Sequence, residues 1–202
     1  LKIPRRDLME ANRKYKLNEN YFSKIDTKNK AQILGFIYAD GCISKRGHRL
    51  GIGIHVKDLD YLEFIKREIE YGGPIYKAKD RDINTLAPSS IKLYESLVNL
   101  GLTPRKSLTI EFPQEDKLNS IFYPDFIRGY LEGDGSICNR GFFRKNNSTK
   151  ILSGMVSFCG TMNFLLKIQE IILKELGIKS HISQKRKLKE NNINSHALVI
   201  TN

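Results

Sequence analysis

One nine-residue phrase occurs twice in this chain, and the rest of the sequence is arranged around it. Ile33-Leu34-Gly35-Phe36-Ile37-Tyr38-Ala39-Asp40-Gly41 is answered by Ile127-Arg128-Gly129-Tyr130-Leu131-Glu132-Gly133-Asp134-Gly135. Each copy is an apolar helical run with two small residues four apart, closed by Asp-Gly. The spacing is 94 residues throughout, from Gly35 to Gly129, from Asp40 to Asp134, and onward from Ile43 to Ile137. A repeat at that distance in 202 residues divides the chain into two like units of about 100 residues each, large enough for a real core.

Both copies continue in the same order. After the first motif, Cys42–Ser44 and Arg49–Val56 read as strands around a Lys45–His48 turn. Asp58 is expected to cap a helix to about Ile69, with Tyr61, Leu62, Ile65 and Ile69 on one face. Gly72-Gly73-Pro74 stops it. A second hairpin, Ile75–Lys79 and Ile83–Ala87, turns at Asp80–Asp82, and a third helix runs from about Ser90 to Leu100. Pro113 and Pro124 bracket a short helical piece near Leu118–Phe122. In the second copy, Gly51, His55, Tyr61, Leu62, Ile65 and Ile69 match Gly154, Phe158, Phe164, Leu165, Ile168 and Ile172 at a spacing of 103, which implies nine extra residues around Asn139–Lys150. The last hairpin is Ile178–Lys187 with about Ala197–Thr201. The domains expected are a basic arm at 1–31, a first unit at 32–113, a connection at 114–124 and a second unit at 125–202. The second unit is expected to lack its last helix, and Leu1 is not an initiator Met; both ends read as truncated.

The arm is polar and basic, with Arg5, Arg6, Arg13, Lys14 and Lys16. It reads either as a solvated segment anchored only by Tyr21, Phe22 and Ile25 or as a linker lying along phosphates. Asp26 or Thr27 offers the cap for the first motif helix. The whole chain carries a formal net charge of +12, so a polyanion is the first partner to expect. The charge falls near the hairpin turns. The first hairpin has Lys45, Arg46, His48 and Arg49, and the second has Lys77, Lys79 and Arg81. The third has Arg140, Arg144, Lys145 and Lys150, and the fourth has Lys179, Lys185, Arg186 and Lys187. A β-ribbon fits the major groove of DNA, so these residues are candidate nucleic-acid contacts, to DNA or structured RNA. No apolar run approaches the roughly 18 residues of a membrane span, and no secretory signal is present. Cys42, Cys138 and Cys159 form no CxxC pair, and the four histidines lack zinc-ligand spacing.

Gly35 with Ala39, and Gly129 with Gly133, give each motif helix a flat strip. Glycine inside a helix costs about 1 kcal/mol relative to alanine, so close helix–helix packing is the expected return. Parallel packing would set Asp40 beside Asp134. Acids at a helix C-terminus oppose the dipole and repel each other. Folding asks for neither. A divalent cation relieves both, and Mg²⁺ between paired carboxylates and a phosphate is a device for phosphodiester cleavage.

At these residues the chain resembles a LAGLIDADG homing endonuclease, in the single-chain form with two motifs. The resemblance runs from about residue 33 to 202. It implies an α+β fold: two pseudo-symmetric αββαββ(α) units form a saddle of antiparallel sheets, with the motif helices packed at the centre. It implies a monomer on a long asymmetric double-stranded target, cleaved across the minor groove to leave short 3′ overhangs. Mg²⁺ or Mn²⁺ would support cleavage, and Ca²⁺ would substitute without it. Asp40 and Asp134 would be metal ligands, with the carbonyls of Ala39 and Gly133. The loop Leu100–Ser107 resembles the stretch that supplies a basic catalytic residue, which places Lys106 at the scissile phosphate or its water. Lys57 would lie near the metal, opposite Gly160 in the second copy. Glu132 stands where the first copy has Tyr38. Residues 10–27 resemble the linker that follows a helix-turn-helix module in phage and bacterial relatives. The expected setting is intracellular, in a bacterium, a phage-infected cell or an organelle.

Two other activities share this fold, an RNA maturase acting on intron RNA and a non-cleaving regulator. Regulators tend to lose the paired acids, which this chain keeps; maturases can keep them. A protein-splicing element would need a terminal His-Asn, and the chain ends Ile200-Thr201-Asn202.

Overall fold

The computed structural model describes residues 14–143, 150–184 and 196–201, with side chains except at 140–143 and 150–153. Thr27 opens the first motif helix, α1 (Lys28–Ala39), by accepting the Lys30 N–H at 3.2 Å. Asp26 pairs with the Lys30 ammonium at 2.8 Å instead. Of the two capping candidates, the cap is therefore Thr27. α1 is buried on nearly every side from Ala31 to Ala39. Each Ile or Leu there contributes about 1.5–3 kcal/mol of burial.

β1 (Gly41–Ser44) and β2 (Arg49–His55) follow as the expected hairpin. Then come α2 (Leu59–Glu68), β3 (Tyr76–Lys77), β4 (Ile83–Leu86) and α3 (Ile91–Asn99). The first sheet has the order β1-β2-β4-β3, antiparallel throughout. Alternation along β2 turns Leu50, Ile52 and Ile54 inward and Arg49, Gly53 and His55 outward. The second unit repeats the plan with α4 (Tyr123–Asp134), β5 (Gly135–Phe143), β6 (Lys150–Gly160), α5 (Met162–Leu176), β7 (His181–Gln184) and β8 (His196–Thr201). Its sheet order is β5-β6-β8-β7. Among the described residues no helix follows β8. Ile137 on β5 is 72% exposed, whereas its counterpart Ile43 is 6% exposed.

Strand register corrects the alignment of the two units. Gly41 pairs with Ile52, and Gly135, its counterpart at 94, pairs with Phe158. Ile52 therefore corresponds to Phe158, a spacing of 106 in the strands. The helices keep the spacing of 103, with Tyr61 matching Phe164. The second hairpin is thus longer by twelve residues, and the second unit then omits three. Those three are Val56–Asp58, a short 3-10 turn between β2 and α2, where β6 runs straight into the Thr161 cap of α5. Lys57 belongs to that turn and has no partner at Gly160; Gly160 corresponds to Ile54. Asp58 precedes α2, but its side chain makes no capping hydrogen bond.

Residues 14–27 are not a solvated arm. Leu17, Tyr21, Phe22 and Ile25 are buried against the first unit. Asn18 N–H donates to Ile69 O at 2.9 Å and Gly72 N–H to Lys16 O at 2.9 Å. Tyr21 Oη donates to Glu68 at 2.8 Å, and Ser90 Oγ donates to Glu19. Arg5, Arg6 and Arg13 lie outside the described residues. No helix among the described residues is long and apolar enough to cross a membrane.

Candidate active site

The two motif helices meet backbone to backbone. A Cβ placed on Gly35 would sit 2.0 Å from Phe126 O, and one on Gly129 would sit 1.9 Å from Gln32 O. One turn on, a Cβ on Gly133 would lie 2.4 Å from Ala39 Cβ and 3.2 Å from Asp40 Oδ2. Only glycine permits this approach at 35 and 129. The strip of Gly35, Ala39, Gly129 and Gly133 is therefore the helix seam, and it continues to the ends of both helices.

The flanks of the seam differ. On a 3.6-residue helix, Tyr38 and Gln32 fall on opposite sides of Gly35. Tyr38 Oη donates to Leu100 O, and its ring packs against Phe126 at 5.1 Å and Phe164 at 6.4 Å. Tyr130 joins this aromatic flank, 4.5 Å from Phe164, and donates to Cys159 O at 2.6 Å. On the other flank Gln32 Nε2 donates to both Glu132 oxygens, at 2.9 and 3.0 Å, and Arg128 donates to Gln32 Oε1 at 2.6 Å. The position that is Tyr38 in one copy and Glu132 in the other thus builds two unlike edges.

Asp40 is the C-terminal cap of α1, its N–H donating to Phe36 O at 2.9 Å, and Asp134 is the last residue of α4. The two carboxylates share a cleft of about 480 Å³, lined also by Cys42, Lys106, Ile110 and Cys159. Burial, and then the negative charge of Asp134, push the Asp40 carboxyl above its ordinary 3.8; the Lys106 ammonium opposes this. Lys106 donates from Nζ to Ala39 O at 2.7 Å. Burial lowers its pKa, while Asp134, Asp40 and Cys42 hold it up. An ammonium therefore contacts the backbone carbonyl expected to face a metal. Asp40 also borders a second cleft, of about 470 Å³, with Phe36, Gly53, Ile54, His55, Asp58, Tyr61 and Glu132. By register Gly53 and Ile54 correspond to Cys159 and Gly160, and Glu132 corresponds to Tyr38. The two clefts are thus related by the pseudo-symmetry of the strands and motif helices, and Asp40 borders both.

Lys57 lies exposed on the 3-10 turn and lines neither cleft. Sequence reasoning missed His55 and Cys159. Strand alternation alone carries their signal, since both are the outward-facing neighbours of inward residues at a strand end. Among the basic candidates, Lys45, Arg46, Arg49, Lys77, Lys79, Arg81 and Lys179 are exposed. His48 is folded back, its ring edge-on to Tyr94 at 5.3 Å with Nδ1 buried. Arg144, Lys145, Lys185, Arg186 and Lys187 lie outside the described residues, as do the side chains of Arg140 and Lys150.

Among the described residues no group of three or more His, Cys, Asp or Glu could hold a metal. Two carboxylates with backbone carbonyls do not make a closed structural site. They do suit Mg²⁺, which keeps several waters and completes its shell with substrate phosphate oxygens.

An acid pair at the ends of two seamed helices, between paired four-stranded sheets, defines a class of fold that known proteins share. A crystal structure of the I-LtrWI LAGLIDADG homing endonuclease bound to target DNA superposes with a TM-score of 0.61 at 13% identity, covering 92% of this chain and 80% of that one. The meganuclease I-SmaMI bound to uncleaveable DNA gives 0.59 at 14% identity, covering 87% and 80%. I-SmaMI bound to an uncleaved DNA target in the presence of calcium ions gives 0.57 at 16%, covering 88% and 80%. Residues 122–202 match the model of the LAGLIDADG-like domain. No curated protein sequence matches the chain. The chain has the LAGLIDADG homing endonuclease fold.

Proposed function

We propose that the chain is an intracellular, site-specific endonuclease that hydrolyses one phosphodiester on each strand of a long asymmetric DNA target, acting as a monomer. The observation that carries this reading is Asp40 beside Asp134. Two acids at helix C-termini, one of them, Asp40, partly desolvated and repelled by the charge of the other, cost stability and return nothing to the fold. The glycine seam goes further and forces them together. A hard divalent cation, Mg²⁺ or Mn²⁺, would be held by these carboxylates and by the carbonyls of Ala39 and Gly133; it would acidify the attacking water and offset phosphate charge. Lys106 brings an ammonium into the same cleft. Its ammonium moves from Ala39 O to a non-bridging phosphate oxygen, where it stabilises the charge that develops during attack. Lys45, Arg46, Arg49, Lys77, Lys79, Arg81 and Lys179 neutralise backbone phosphates, so binding weakens as salt rises. The relatives bound to target DNA support the same partner.

The test is a supercoiled plasmid library with random duplex inserts, incubated with the protein and Mg²⁺. Linearised plasmids are sequenced, and Asp134→Asn is run in parallel. A defined set of inserts cut by the wild type and spared by the variant is expected. Absence of linear product with both Mg²⁺ and Mn²⁺ overturns the proposal.

A further inference from the structure

The cleft on the first unit's side of Asp40 holds a side chain that the repeat gives no reason to expect. β2 ends at His55. Ile52 and Ile54 point inward, so His55 emerges on the outer face, where it lines the cleft with Asp40, Asp58 and Glu132. By register its counterpart is Thr161. That hydroxyl is fully engaged: it donates to Ile110 O at 2.6 Å and accepts from Phe164 N–H at 3.4 Å.

His55 is only half engaged. Its Nδ1 accepts the backbone N–H of Lys57 at 3.2 Å. A ring nitrogen that accepts carries no proton, so the neutral imidazole keeps its proton on Nε2. That N–H has no partner among the described residues. The Lys57 bond also fixes the plane in which the ring presents it. The 3-10 turn Val56–Asp58 that supplies this bond exists only in the first unit.

We infer that His55 is a catalytic residue of the first-unit half-site, donating from Nε2–H to a non-bridging oxygen of the phosphodiester seated in that cleft. The inference rests on the endonuclease reading above. Hydrolysis builds negative charge on those oxygens, and an N–H donor already held in place answers it. The cleft with Cys159 and Gly160 has the Lys106 ammonium instead. The two strands are therefore cut with different donors.

Two substitutions separate this role from simple turn capping. His55→Asn sets an amide oxygen where Nδ1 stands, keeping the Lys57 bond but offering no donor further out. His55→Gln reaches the Nε2 position with an amide N–H but loses the cap. The substrate is a supercoiled plasmid with an insert recovered from the library, with each strand's cleavage followed separately. His55→Asn is expected to slow one strand about a hundredfold, leave the other at its wild-type rate and accumulate nicked circle. His55→Gln is expected to stay within about tenfold of wild type. In ¹⁵N spectra of the metal-free protein, the signal lost in His55→Asn should be that of an Nε2–H tautomer. It should shift when the insert duplex is added with Ca²⁺. Equal rates on both strands in His55→Asn, or normal His55→Asn with impaired His55→Gln, overturns the inference. A wild type that leaves the plasmid intact overturns the endonuclease reading itself, and is read without either variant.

Discussion

Gly35→Ala tests the seam most directly. The added Cβ would lie 2.0 Å from the Phe126 carbonyl oxygen, and a carbon settles against such an oxygen at about 3.3–3.6 Å. The obstacle is main chain, which no rotamer change can move. The helices must part by about 1.3 Å or tilt by an equivalent amount. Alanine returns about 1 kcal/mol of helix propensity. Overpacking of a tight contact costs about 1–3 kcal/mol, and here the upper end applies. The net loss is about 2 kcal/mol, which in a chain of this size lowers Tm by about 4–8 °C. Separation at Gly35 also moves Asp40 from Asp134, and a misplacement near 1 Å reduces cleavage about a hundredfold. Thermal unfolding and plasmid cleavage measure the two effects. Gly53→Ala is the stability control: its Cβ would meet nothing nearer than Ile83 Cγ2 at 3.5 Å, and it should change stability by less than about 0.5 kcal/mol. A Gly35→Ala protein that melts and cuts like wild type refutes the close-packing argument.

Asp40→Asn is expected to abolish cleavage while a gel shift in Ca²⁺ shows binding retained. It should also stabilise the metal-free protein at pH 7. Ionising a carboxyl whose pKa is raised in the fold costs stability above that raised value and nothing below the ordinary 3.8. The gap in urea midpoint between variant and wild type should therefore close as pH falls toward 3.8. Lys106→Met keeps the aliphatic stem and loses the charge. Cleavage should fall about a hundredfold or more, and carboxyl NMR should show Asp40 titrating higher still. Tyr38→Phe leaves the Leu100 carbonyl without its buried donor, and urea unfolding should show a loss of about 1–3 kcal/mol.

The helices and hairpins could be read from the sequence because hydrophobic period and turn residues encode them locally. The acid pair could be read because repetition put it in the same place twice. Register could not. The match of Tyr61 and Leu62 to Phe164 and Leu165 holds in the helices, but extending it back into the strands carried the error that paired His55 with Phe158 and Lys57 with Gly160. A three-residue turn has no hydrophobic signature, so Val56–Asp58 was invisible. Counting charges also cannot say where a ring points. Gly47 and His48 both adopt positive φ, +76° and +44°, and that backbone bend folds the His48 imidazole onto Tyr94. Residues 14–26 left a solvated arm and a phosphate-tracking linker equally open, because their attachments, Tyr21 to Glu68 and Glu19 to Ser90, join residues distant in sequence.

The unlike flanks of the helix seam give the molecule a mechanical polarity. Tyr38, Phe126, Tyr130 and Phe164 form a dry spine whose contacts water cannot replace. Gln32, Arg128 and Glu132 are held by exposed hydrogen bonds that water can replace at little cost. If the halves rock against each other, the rotation axis runs along the aromatic spine and the gap opens on the Glu132 side. That is the side on which His55 lies, so of the two clefts it is the one bordered by contacts that water can replace.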